Sequence, residues 1–283
     1  MLSRHLKDKL FAVMTRTALF ICISLLAFLI ISITIEGLRA FSLRFFLSPS
    51  RNFGASGGIL YQILGSFLLV CVAACLVLPF AVGTAIFRSE YARSPRLKRG
   101  LDLAIFSLNS IPSVTYGLFG LILFVNIFNT GISWFVGSFI LAIMMLPTVT
   151  LSTFQTMNSI PQIYRENGYA LGLNRIQVIR QIILPQSFHG IVTGLLIALA
   201  RAIGETAPIM FIATAFSGVT VPKSLYEPVA TLPTHILALA QQATNPAALQ
   251  NAWGASLTLI ILVMIFSALA YYLRFKFKAL SVR

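Results

Sequence analysis

The sequence predicts an all-α polytopic membrane protein, a six-helix bundle with one long helical loop between its fourth and fifth spans. Three observations predict it. Of 283 residues, 58% are hydrophobic and only 10% are charged, with a mean hydropathy of +0.89; an average soluble domain carries roughly 25% charged residues. Uncharged stretches recur at the length a helix needs to cross the hydrocarbon core, about 20 residues. The basic residues gather between those stretches, where orientation charges belong. Disorder, collagen and a water-soluble globule are excluded. The net charge of +14 therefore points to topology and anionic lipid head groups, not to nucleic acid.

No charge lies between Arg16 and Glu36, so Thr17 to Ile35 forms the first span. Its apolar core exceeds the roughly 7–15 residues of a signal-peptide core, and no small-x-small cleavage site follows. It is expected to stay as an anchor. The second span lies near Gly58 to Ile86, bracketed by Arg51 and Arg88. The uncharged run from Leu103 to Tyr164 is too long for one helix. Asn126, Asn129, Thr130 and Gly131 divide it into a third span, Leu103 to Phe128, and a fourth, Ser133 to Met157. The fifth, Phe188 to Phe216, carries Arg201 and Glu205; the sixth is Trp253 to Tyr272. Residues 1–57 thus hold a tail, the first span and an external loop, and residues 58–283 a core of five spans.

Charge orients the bundle. Sixteen Lys and Arg residues fall on the side of both termini and of the loops near 88–102 and 158–187, against four (Arg39, Arg44, Arg51, Lys223) on the other. The positive-inside rule puts the sixteen in the cytoplasm, with both termini. Cys22, Cys71 and Cys75 lie in apolar stretches and make neither a metal set nor a disulfide framework.

The cytoplasmic loop of about residues 158–187 is long for a helix connection. Leu173, Ile176, Ile179 and Ile183 recur on one helical face. Pro161 can open a short helix, Gly172 can turn the chain, and Pro185 can mark the start of the fifth span. The pattern gives a pair of short helices along the membrane surface. They either rest on lipid or dock a cytoplasmic partner. The external loop of about 217–251 holds Pro222, Pro228, Pro233 and Pro246 around apolar residues. It reads equally as a re-entrant cap or as a plain loop.

At the cytoplasmic loop the chain resembles a known family. Glu166-Asn167-Gly168, three residues, Gly172, nine residues, then Ile182-x-Leu184-Pro185 is similar to the E-A-A-x3-G-x9-I-x-L-P signature of bacterial ABC-importer permeases. Asn167 and Gly168 depart from Ala-Ala, and Gly costs a helix about 1 kcal/mol against Ala. Asn109-Ser-Ile-Pro-Ser-Val-Thr-Tyr-Gly-Leu-Phe-Gly120 and Ala200-Arg-Ala-Ile-Gly-Glu-Thr-Ala-Pro208 resemble phosphate-specific permeases of the PstA type. Leu78 to Ala85 and Ser89 to Ala92 are similar to the permease core. Leu151, Phe154 and Gln155 stand where family members often carry charge, a second departure.

The resemblance implies a type I ABC importer fold and a subunit of an ATP-driven phosphate importer in the bacterial inner membrane. This chain would form half the pore. A PstC-type permease, an ATPase dimer and an extracytoplasmic phosphate-binding protein would complete the complex. ATP and Mg would bind the ATPase, and this chain would bind no cofactor and catalyse no reaction. Alternating access would be driven through the cytoplasmic loop, with Glu166, Gly172, Ile182, Leu184 and Pro185 as docking residues.

An Arg inside the membrane costs about 2.5–3.5 kcal/mol or more, so Arg201 needs a reason. Arg201 and Glu205 are spaced i, i+4 and can neutralise each other on one helix face. Alternatively, Arg201 faces the path, where its planar fork suits phosphate oxygens, and Glu205 keeps the anion from binding too tightly to leave. Thr206 either bonds back to a helix carbonyl or meets substrate. Pro112, Pro147 and Pro208 are candidate hinges or static bends. Tyr116 and Asn109 suit either a polar path or the core.

No G-x4-G-K-[ST] loop and no zinc motif is present. With Glu205 as the lone intramembrane carboxylate, a proton relay is poorly supplied. The competing readings are an ion-coupled secondary transporter, which would need no docking loop, and an ABC permease for another oxyanion.

Overall fold

A computed structural model describes residues 4–215, 221–242 and 244–280. Within them α1 (Arg4–Leu38), α2 (Leu43–Leu47) and a tiny antiparallel hairpin (Ser50–Arg51 with Ser56–Gly57) precede α3 (Leu60–Ile86). A wide π-type turn, Phe87–Tyr91, ends α3. Then come α4 (Pro95–Ser110), α5 (Ser113–Gly120) with its π-type extension Leu121–Ile127, and α6 (Trp134–Ser159). The long loop supplies α7 (Gln162–Ala170) and α8 (Arg175–Val178). After α9 (Leu184–Ala202) follow α10 (Ala207–Ile212), α11 (Leu232–Ala240) and α12 (Pro246–Leu280). Among the described residues five helices are long and apolar enough to span a membrane, or six if the bent pair α4–α5 is one span.

α6 is the central post, packed between α3 and α9. Ile140, Leu141 and Val149 on it are fully buried, as are Leu69 and Ala73 on α3. Gly190 on α9 lies directly against Thr156 of α6, so any larger residue there would push the two helices apart. α1 stands outside this core and packs along α12.

The first, second, fourth and sixth spans match the expected helices. The third is corrected. It breaks at Ile111-Pro112, and the two halves meet at 91°. Proline has no N–H to donate and disfavours helical geometry in the residue before it. Ile111 accordingly takes an extended ψ of 127°. The Tyr116 hydroxyl donates to the Leu108 carbonyl at 2.6 Å, adding to the long 3.4 Å bond that carbonyl accepts from the Ile111 N–H at the broken end.

The fifth span is corrected too. α9 stops at Ala202 and the chain restarts as α10 at Ala207. Pro208 sits at the second position of α10, and in an unbroken helix its ring would strike the carbonyl of Gly204. Pro208 therefore starts a helix; it does not kink one. The far end of this span, Phe216, lies outside the described residues.

The expected pair of separate surface helices is half right. α7 stands alone, with Pro161 at its N-cap. α8 runs on through a π-type turn, Ile179–Ile183, into α9, giving one 28-residue helix from Arg175 to Ala202. Pro185 is absorbed where the wide turn narrows back to α-helix. At the opposite end of the bundle α11 packs as a cap, with Leu232 and Leu239 fully buried. The Leu232 N–H donates to Ser66 Oγ at 2.9 Å. Trp134 Nε1 donates to the Ser224 carbonyl at 2.8 Å, tying the preceding loop to α6.

Candidate functional site

Two polar centres stand out, one at the basic end of the bundle and one in the broken fifth span.

At the basic end, α7 and the start of α8 present the residues singled out for docking. Glu166 lies on the exposed side of α7. Gly172 has φ +81° and open space around it, the left-handed turn that suits glycine. Asn174 and Gln177 form a reciprocal capping box that starts α8. Beneath them Val178, Ile179 and Ile183 are buried with Met157 and Ala85, and Leu173, Ile182 and Leu184 pack on that cluster. Ile176 of the expected face is instead 56% exposed, and Val178 takes its place. The π-type turn adds a residue to the turn and rotates the face by that step. Gly168 touches Ile182, whose Cδ1 would lie 2.7 Å from an added Cβ. The glycine that departs from the signature thus lies in close contact with Ile182 of the π-type turn and Val178 of α8.

What fastens this segment was not visible in the sequence. The turn Phe87–Tyr91 reaches four neighbours. Arg165 of α7 donates from Nε and a terminal nitrogen to Glu90 Oε1 at 3.2 and 3.1 Å. Its terminal nitrogens also donate to the Ile160 carbonyl at 2.9 Å and the Met157 carbonyl at 3.0 Å, closing the end of α6. The two side chains are only 11% and 7% exposed. Arg88 binds Asp102 of α4 with two bonds of 2.8 Å and lies 4.7 Å over the Phe154 ring. Arg175 lies 4.9 Å over Tyr91. Phe154 was noted only as a departure from the family; it supplies the face on which Arg88 rests.

The second centre is the break between α9 and α10. Arg201 ends α9, where the partial negative charge of a helix C-terminus favours a cation. Its Nε donates to Glu205 Oε1 at 3.4 Å. Glu205 lies in the turn, not on the helical face that i, i+4 spacing implied. Among the described residues no other hydrogen bond reaches this guanidinium, and its side chain is 45% exposed. Pro208 packs against Gly117 of α5. The second halves of the two broken spans therefore meet beside Arg201. Irregular backbone at membrane depth is tolerated where it is buried in protein or lines a polar path. The Thr206 hydroxyl makes no bond back to a helix carbonyl among the described residues. Pro112 and Pro208 flank breaks, whereas Pro147 lies buried in unbroken α6. Tyr116 is committed to Leu108, and Asn109 lines a cavity between α6, α9 and α12.

Long apolar helices, with two of the spans broken, define a multi-span membrane protein. The family model described as "Binding-protein-dependent transport system inner membrane component" matches residues 77–279. The chain belongs to that family, and it is a permease subunit of the ABC importer class. It is 33% identical to "Probable phosphate transport system permease protein PstA" of Methanocaldococcus jannaschii, covering 96% of this chain and 95% of that protein. It is 29% identical to "Probable ABC transporter permease protein YqgI" of Bacillus subtilis, covering 96% of each. A solved bacterial alginate ABC transporter shares the fold with a TM-score of 0.67 at 16% identity, covering 93% of both chains.

Proposed function

We propose that this chain forms half the pore of an ATP-driven phosphate importer. The observation that carries the reading is Arg201, a permanent cation in a broken span whose fork Glu205 engages only through Nε. A guanidinium held this way can offer two parallel hydrogen bonds to a tetrahedral oxyanion. Glu205 orients it and weakens its hold, so that the anion can leave. The likeness to the phosphate permease of Methanocaldococcus jannaschii supports phosphate as that anion.

The basic end is then cytoplasmic, with both termini, as the positive-inside rule requires. The exposed face of α7, with Glu166, docks a separate ATPase dimer. That dimer binds ATP and Mg, and this chain has no ATPase site of its own. A second permease completes the pore, and a phosphate-binding protein delivers the anion to the α11 end. ATP and the loaded binding protein must favour the same pore conformation for import to proceed.

The test is ATP-dependent phosphate uptake into vesicles holding the whole complex, with and without the binding protein. Uptake that needs both ATP hydrolysis and the binding protein is expected. Phosphate accumulation with no nucleotide hydrolysed and no companion subunits would make the chain an ion-coupled carrier and refute the proposal.

A further inference from the structure

Below Arg201, toward the basic end, a cavity of about 600 Å³ opens between α6, α9 and α12. Its polar lining is unusual for a membrane bundle. Asn109, Gln155, Thr193 and Arg274 line it, and among the described residues no carboxylate does. The hydroxyls of Ser152 and Thr156 are spent on backbone carbonyls, at 3.0 and 2.9 Å. Thr193 differs. It is 6% exposed, and its hydroxyl has no partner. An unpaired buried hydroxyl is costly to keep. Arg274 is exposed and has no ion-pair partner among the described residues.

The cavity is aligned with the site above it. Gly190, Thr193, Ile197 and Arg201 follow at spacings of 3, 4 and 4 and share one face of α9. At 1.5 Å rise per residue, Thr193 lies about 12 Å along the helix from Arg201. Ile197, which also lines the cavity, stands between them as an apolar step.

We propose that this cavity is a second holding site for a tetrahedral oxyanion, reached after Arg201 and emptied into the cytoplasm. The inference rests on the reading of the chain as a phosphate permease and deepens it. Arg274 supplies the charge, Thr193 a buried donor, and Asn109 and Gln155 adaptable amide donors. With no carboxylate present, a cation would find no charged partner. Two weak stations separated by an apolar step let an anion advance without being trapped at either.

The test uses the whole complex in vesicles, with inorganic phosphate as substrate and the binding protein outside. Arg274→Gln should lower maximal uptake about tenfold, the loss of one charge-assisted hydrogen bond. The binding-protein concentration for half-maximal uptake should stay unchanged, since that contact lies at the other end. Arg274→Lys should recover part of the rate. Thr193→Val, close in shape and lacking the hydroxyl, should slow uptake in the same way. Wild-type rates in both Arg274→Gln and Thr193→Val overturn the proposal while leaving the permease reading intact. A wild-type complex that hydrolyses ATP and moves no phosphate overturns both.

Discussion

Two of the arginine–glutamate pairs among the described residues differ in nearly everything but composition. Arg165 and Glu90 come from residues 75 apart in sequence and are almost wholly buried. The guanidinium is largely committed: two bonds to the carboxylate and two to the carbonyls that end α6. Arg201 and Glu205 are four residues apart, joined by one bond of 3.4 Å, and the arginine is nearly half exposed. The first pair spends four of the five guanidinium N–H groups and fixes three elements in place. The second leaves most of a fork free at a helix break. Burial and bond count, not the presence of an ion pair, separate a fastening from a site.

The largest expected effect tests the second pair. Arg201→Gln should abolish phosphate uptake while the complex still assembles, checked by gel filtration of the purified complex. Retained uptake would make the two pairs alike, both structural. Arg201→Lys keeps the charge without the fork and should show at least partial loss.

Next comes the first pair. Glu90→Gln leaves the Arg165 charge buried without its partner, a change that costs about 3–5 kcal/mol. Thermal unfolding of the detergent-solubilised protein should report it as a clear fall in midpoint. Glu205→Gln, at the exposed pair, should scarcely move the same midpoint. Equal shifts would erase the contrast.

A smaller effect is expected at Gly172. A side chain at φ +81° meets no neighbour but pays for left-handed backbone, about 1–2 kcal/mol. Gly172→Val should leave the bundle intact and reduce phosphate moved per ATP hydrolysed. Normal coupling would show that the turn transmits nothing.

The smallest effect concerns pH at the far end. His235 of α11 is buried beside Gln62, and burial lowers its pKa from 6.5 to about 4. The unfolded chain takes up this proton at higher pH than the folded one does. Stability is therefore full above about pH 6.5 and falls as pH drops toward about 4. His235→Gln should flatten that part of the profile, measured by unfolding midpoint against pH.

Much of the fold was legible because membranes impose a simple rule: long uncharged runs become helices. The first, second, fourth and sixth spans followed from it. The two breaks were not read correctly, although their residues were in view. Pro112 and Pro208 were taken as bends in continuous helices. Whether a proline kinks a helix or ends it depends on what receives the freed backbone groups. The Tyr116–Leu108 bond and the packing of α5 on α10 decide that, and both are tertiary. Gly172 turns the chain as the loop pattern expected. The fastening by Glu90 was missed because Arg88, Arg165 and Arg175 read as orientation charges. A signal did exist: Glu90 and Asp102 are carboxylates within strongly basic segments, where an acid has nearby cations to pair with.

The most direct measurement compares Arg201→Gln with Glu90→Gln in the same vesicles, recording phosphate uptake and binding-protein-stimulated ATP hydrolysis together. The account predicts that Arg201→Gln keeps stimulated hydrolysis and loses uptake, whereas Glu90→Gln loses the stimulation itself. Arg201→Gln transporting phosphate at the wild-type rate would contradict it.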